Sequence, residues 1–382
     1  MIRPFRILTV LSFFLFTSAN PGPSREYEVI DVVYCLDLSA STNGLIDDVR
    51  DKLWDVVNEM NSYRPAPRFR IGVVAFSRPS FGEKNYYVKV LSDLTDDFDE
   101  LAYELNKLRP AVEKGDQFVG KALQTTLDNL SWTNGKGPLK LIYVVGNGRV
   151  DTGGSNVFRN ACEDAVKKGV TVHSVYCRMK RYNMKEVAGW REIARLTGGE
   201  QYDLKVHKRA PQVLVSEEQQ ELYHLSEDLN RTYVHHGKYG AKRFEMMTSV
   251  DEHALKSSPM DFQSRLFYKI SGNYQGHQGS WDLVDYLKSA DADFEKLKPE
   301  YLPDSLQMHT PDELRKVAMK LKGERSLIIK RLRMHLTYDR QRVIRNVYLE
   351  GGMYQADIFD RIIVRSIDKM VGNDGFNTGN TR

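Results

Sequence analysis

The residues with the most evident chemistry are Asp37, Ser39 and Ser41, in the run Asp37-Leu38-Ser39-Ala40-Ser41. Alternate positions supply one carboxylate and two hydroxyls, an all-oxygen set of the kind a hard divalent cation such as Mg²⁺ prefers. The same residues also suit a simpler role, in which Asp37 and Ser39 cap the loop and the helix that follows it. Both readings stay open at this point.

The run follows Val29 to Leu36, an almost wholly apolar stretch that reads as a strand covered on both faces. Leu45, Val49, Leu53, Val56, Val57 and Met60 then fall at helical spacing. The alternation continues. Strands are expected over 69–76, 86–91, 139–145, 170–176 and 202–206. Helices are expected over 98–108, 119–130, 157–166 and 184–196, the last closed by Gly198-Gly199. This is the pattern of an α/β fold with a mostly parallel sheet and helices on both faces. In such a fold, ligands meet the loops at the carboxyl ends of the central strands.

On these residues the chain resembles a von Willebrand factor type A domain over roughly residues 28–208. The likeness rests on Asp37 to Ser41, on Arg70 to Ser77, on Gly120-Lys121-Ala122-Leu123, on Leu139 to Gly148 and on Leu196-Thr197-Gly198-Gly199. It implies a doubly wound six-stranded sheet and a metal-ion-dependent adhesion site, where bound Mg²⁺ completes its shell with an acidic residue from a protein partner. The chain departs from that pattern at two ligands. Gln117 stands where the family has a threonine, and Asn147 where it usually has an aspartate. Both retain an amide oxygen, but one formal negative charge is lost. Charges about 4 Å apart interact by about 4 kcal/mol at an effective dielectric near 20, so the ion should be weakened. Asp116 and Asp151 lie on the two altered loops as auxiliary candidates. The alternative is a degenerate site held together by hydrogen bonds, in a metal-independent structural or assembly protein.

Composition bounds the rest. The chain has 382 residues with 55 Lys and Arg against 51 Asp and Glu, a formal charge of +4. That balance is too mild to announce nucleic acid. Residues 1–19 read as an export signal, with Arg3 and Arg6 before an apolar run and a small-residue site at Thr17-Ser18-Ala19. A retained anchor is the alternative. The expected product is exported: periplasmic, cell-surface or extracellular, with no later membrane span. Export permits disulfides, and Cys162 and Cys177 fall at one edge of the layer, so a bridge is open to them. Cys35 reads as a buried thiol. No Ser/His/Asp, Cys/His, H-E-x-x-H or phosphate-loop arrangement occurs at recognisable spacing, so a non-enzymatic role is expected.

Beyond the sheet, residues 213–371 read as a mainly helical region and 372–382 as a frayed tail. A helix is expected over 213–233, and the short segments 262–270 and 281–287 are separated by Gly and Pro. Pro311 opens a helical stretch with Thr310 as its cap. Within 315–345 there are eleven Lys or Arg against Glu324 and Asp339, with apolar positions that allow packed helices with basic outer faces. Such a face suits an anionic polymer, a lipid headgroup or an acidic partner, or is simply solvated. His235 and His236 point to opposite sides of an extended chain and read as surface or packing residues. The sequons at Asn129 and Asn230 are open to glycosylation in a eukaryotic secretory host and in a bacterial chain read as chance occurrences.

Overall fold

The computed structural model describes residues 27–108, 113–135, 137–178, 183–205, 217–349 and 359–372. The expected export signal and the frayed tail lie outside the described residues. The first half alternates β1 (Val29–Asp37), α1 (Leu45–Ser62), β2 (Arg68–Phe76), β3 (Lys89–Thr95), α2 (Phe98–Lys107), α3 (Val119–Asn129), β4 (Leu139–Gly146), α4 (Ser155–Lys167), β5 (Thr171–Cys177), α5 (Met184–Thr197) and β6 (Gln201–Leu204). The sheet runs β3-β2-β1-β4-β5-β6. All its pairings are parallel except that of β2 with β3, which is antiparallel.

Each central strand is buried on both faces, so its alternating side chains feed two cores. In β1, Ile30, Val32, Tyr34 and Leu36 enter the core shared with α1 and α2, while Val33 and Cys35 enter the other with α3, α4 and α5. The cysteines show the consequence. All three are buried free thiols. Cys162 packs in the α3–α5 core and Cys177 in the α1–α2 core, so the sheet separates them and no bridge forms.

The largest shift from the sequence reading is at the sheet edge, where β3 begins at Lys89 instead of Tyr86. Tyr86 and Tyr87 have positive φ angles of 52° and 58°, a left-handed turn that a strand cannot contain. The turn is closed by amide bonds from Tyr86 to the Glu83 carbonyl and from Tyr87 to the Gly82 carbonyl.

The second half is helical: α6 (Glu217–Arg231), α7 (Gly240–Ser257), α8 (Pro259–Lys269), α9 (Leu283–Tyr286), α10 (Pro311–Leu349) and α11 (Phe359–Val371). The sequence reading does not contain α7, whose apolar residues Met246, Met247, Val250 and Ala254 are interleaved with charge. The basic stretch forms a single 39-residue helix where several were expected. Thr310 and Glu313 close its first turn as a capping box, with Glu313 Oε2 accepting from the Thr310 amide at 2.8 Å and Thr310 Oγ1 accepting from the Glu313 amide at 3.4 Å.

The helical half continues the α1–α2 core of the sheet half: Leu222, Met247, Leu266, Tyr274, Leu332 and Ile363 belong to the same apolar cluster as β1. A buried ionic group crosses that junction. Arg265 on α8 reaches Asp251 on α7 (2.8 Å) and Asp99 on α2 (2.6 Å). Its guanidinium lies 4.5 Å from the centre of the Trp54 ring on α1. Lys269 pairs with Asp251 and Asn230, which commits the Asn230 side chain to the interior.

Candidate functional site

The order β2-β1-β4 decides where a site can form. The connections leave β1 toward β2 on one side and the chain returns with β4 on the other, so a crevice opens at the carboxyl ends of β1 and β4. Asp37 is the last residue of β1 and Asn147 directly follows β4. Gln117 stands two residues before α3, whose amino end faces the same crevice. Three segments far apart in sequence therefore bring their polar side chains together.

Asp37 is fully buried. Its Oδ1 accepts from the Ser39 amide (2.9 Å), and its Oδ2 accepts from Gln117 Nε2 (2.9 Å). The same Gln117 nitrogen donates to Asn147 Oδ1 (3.1 Å), which also accepts from Ser41 Oγ (3.0 Å). Ser41 has spent its proton there, so the 2.7 Å contact between the two serine hydroxyls is donated by Ser39. The result is a continuous chain from Ser39 through Ser41, Asn147 and Gln117 to Asp37. Thr42 Oγ1 fixes the loop from below by donating to the Asp37 carbonyl (2.7 Å).

Burial lifts the Asp37 carboxyl from 3.8 to about 6, only partly offset by the Ser39 amide. Ser77, at the end of β2, has a buried hydroxyl that helps hold the carboxyl down without closing a hydrogen bond of ordinary length.

Two glycines make room for this arrangement. A Cβ at Gly146 would stand 2.7 Å from Asp37 Cβ and 3.1 Å from the Trp190 ring. Gly148 has φ +75°, and a Cβ there would lie 1.9 Å from Gln117 Oε1. Trp190 Nε1 donates to the Gly148 carbonyl (2.9 Å) and holds the turn in place. From the sequence, Gly146 and Gly148 read as residues that permit a flexible or tightly turned loop, as Gly148 does, whereas Thr42, Ser77 and Trp190 are not singled out for this role.

The two auxiliary aspartates are placed differently. Asp116 is exposed, and Asp151 is held by Arg149 through two bonds of 2.9 and 2.7 Å. Neither joins the network. Asp37 is thus the only carboxylate within it, and among the described residues no three His, Cys, Asp or Glu side chains gather as a metal cluster. His235 and His236 are occupied elsewhere, by the carbonyls of Tyr301 (3.1 Å) and Gly279 (3.0 Å).

Over about half its length the chain forms the six-stranded, mostly parallel sheet with helices on both faces that the resemblance to a von Willebrand factor type A domain implies. No family model matches the chain, and no curated protein matches it. Solved structures do. An aerotolerance-related membrane protein from Bacteroides fragilis, carrying multiple mutations to serine, is 17% identical over 46% of this chain and 92% of that one, with a TM-score of 0.33. Proximal thread matrix protein 1 from the mussel byssus, with a zinc-occupied MIDAS motif, is 15% identical over 46% of this chain and 42% of that one, with a TM-score of 0.36. A von Willebrand factor type A protein from Catenulispora acidiphila is 13% identical over 47% of this chain and 39% of that one, with a TM-score of 0.35. The fold assignment stands on the sheet order and pairing described above. Among the described residues, no helix is long and apolar enough to cross a membrane.

Proposed function

We propose that the sheet half is an exported protein-binding module that captures an acidic side chain of a partner at the β1/β4 crevice, with Mg²⁺ as the bridging ion. The observation that carries this reading is the convergence of Asp37, Ser39, Ser41, Gln117 and Asn147 from three separate loops at one crevice. Octahedral Mg²⁺ holds oxygens at about 2.0–2.1 Å, which sets neighbouring ligand atoms about 2.9 Å apart. Ser39 to Ser41 is 2.7 Å and Ser41 to Asn147 is 3.0 Å. Gln117 Nε2 lies 2.9 Å from Asp37 and 3.1 Å from Asn147, the same edge length. Turning the Gln117 amide over replaces that nitrogen by Oε1. The same distances are ordinary hydrogen-bond lengths; with Gln117 in the turned rotamer, the donor set offered to the ion would be Asp37, Ser39, Ser41, Asn147 and Gln117.

When bound, Mg²⁺ supplies a positive centre to which a partner carboxylate can add. The protein's own part is to converge the five oxygens. Exposed Lys114 and Arg149 on the two flanking loops are balanced by Asp116 and by Asp151, which pairs with Arg149, so the ion itself would supply the attraction for an acidic group. A single carboxylate makes the ion weakly held, at about millimolar concentration.

A second reading is favoured by the Gln117 amide as it stands. Its nitrogen already satisfies both Asp37 and Asn147, so the loops stay assembled without an ion and the module binds through a metal-free face. Calorimetric titration separates the two. The cation reading expects saturable Mg²⁺ binding in the millimolar range, lost in Asp37→Ala and accompanied by a rise in melting temperature. Absence of saturable heat and of any stabilisation at 10–20 mM Mg²⁺, roughly ten times the expected dissociation constant, would favour the metal-free face.

A further inference from the structure

The long helix α10 has two opposed faces. Leu314, Ala318, Arg325, Leu332 and Leu336 are buried on one. Arg325 locks the rotation: its guanidinium donates to Asp282 (2.7 Å) and to the Thr232 carbonyl (2.7 Å), and stands 3.9 Å from the centre of the Tyr233 ring. At 100° per residue, the opposite side carries Met319, Gly323, Leu327, Lys330 and Met334 within a narrow arc.

That outward arc exposes three large apolar side chains, interspersed with Lys316 and Lys330, where solvent should favour polar groups. Met319 is 55% exposed, Leu327 67% and Met334 66%. Met308, three residues before the helix begins, is 93% exposed. Of the nine large apolar side chains exposed among the described residues, these four share one element and its approach. They extend over about 22 Å from Met319 to Met334. Between residues 315 and 334 the exposed ionic positions are mostly basic, Arg315, Lys316, Lys320, Lys322, Lys330, Arg331 and Arg333 against Glu324, while exposed Asp312 and Glu313 lie at the amino end of the helix. Spaced apolar pegs within a lysine-rich surface match the interface of an anionic bilayer, where the pegs enter the headgroup layer and the lysine stems snorkel to the phosphates.

We infer that the outward face of α10 lies on an anionic phospholipid surface and holds the protein there peripherally. Neighbouring apolar residues are separated by seven or eight positions and interrupted by Lys330 and Gly323, which leaves no continuous apolar seam for a partner helix. The charge sign then selects acidic lipids over zwitterionic ones.

The test uses the full chain and sedimentation with vesicles of phosphatidylcholine alone or with one quarter phosphatidylglycerol, in 0.15 M NaCl. Binding to the phosphatidylglycerol vesicles is expected to fall about thirtyfold in the double variant Lys316→Gln/Lys330→Gln, and about tenfold in Leu327→Glu. All three positions are exposed, so an unchanged melting temperature checks the fold. Comparison within the same chain isolates α10 from every other segment. Equal partitioning of wild type and both variants would overturn the inference, as would equal binding to the two vesicle types. A wild-type dimer that Leu327→Glu splits would also overturn it, because the face would then mate with a second copy.

Discussion

Asp251→Ala is expected to cost about 3–5 kcal/mol, a large share of the roughly 5–15 kcal/mol that holds a protein folded. Asp251 is the shared anion for Arg265 and Lys269, both of them fully buried. Burial pushes its carboxyl upward, but the two neighbouring cations more than reverse this and hold it below its ordinary value. Removing the carboxylate leaves Arg265 with Asp99 alone and Lys269 with only the Asn230 amide. Lys269 is already held below its ordinary pKa by burial, which the attraction of Asp251 only partly offsets, and without that anion it would lose its proton more readily. Urea denaturation measures the loss. The triple variant Asp251→Leu/Arg265→Met/Lys269→Met, which removes the charges together, should be less damaged than the single one. A single-variant loss below about 1 kcal/mol would show that the two halves do not depend on this junction.

Asp37→Asn is expected to act in the opposite direction. With EDTA present, the substitution should stabilise the protein at pH 7–8 and change little near pH 4. Because the folded-state pKa is raised, from 3.8 to about 6, the protonated carboxyl is the form the fold prefers. Stability is therefore full below pH 3.8 and declines as the pH rises through 6, by a total of about 3 kcal/mol. Asparagine does not ionise and removes that slope. Its Oδ1 still accepts from the Ser39 amide, and the Gln117 amide can turn to present Oε1 to the new nitrogen. Thermal melts from pH 4 to 8 check the result: relative to the level variant curve, the wild-type curve should fall between about pH 4 and 6 and run flat above that. Parallel curves would mean that the carboxylate is solvated, contrary to its burial.

Much of this molecule was legible in the sequence, because burial on both faces of a parallel sheet leaves long apolar runs with little ambiguity. The strands ending in Asp37 and Asn147 were such runs, so the two loops fell at the carboxyl ends of adjacent central strands. Gln117 was located by its place before α3. What spacing did not show was direction: the amide nitrogen toward Asp37, Asp151 drawn to Arg149, Asp116 outward. These are settled by local pairing among side chains. The Arg265 and Lys269 pair was equally hidden, since two cations four residues apart on a helix look like a solvated face. Only the tertiary placement of Asp99 and Asp251 turns them inward. Tyr86 was read as strand because its neighbours are β-formers, and the tight turn at Gly82 overrides that preference.

The central claim is that the crevice oxygens form one set whose hydrogen bonds can be exchanged for a cation. The most direct measurement is the side-chain amide NMR signal of Gln117, assigned through Gln117→Glu and followed through a Mg²⁺ titration with Asp37→Ala as the control. The cation account predicts a saturable shift of the Gln117 and Asn147 side-chain amide signals in the wild type, absent from the control. Signals that stay fixed at every Mg²⁺ concentration, with the Gln117 nitrogen still bonded to Asp37, would contradict it.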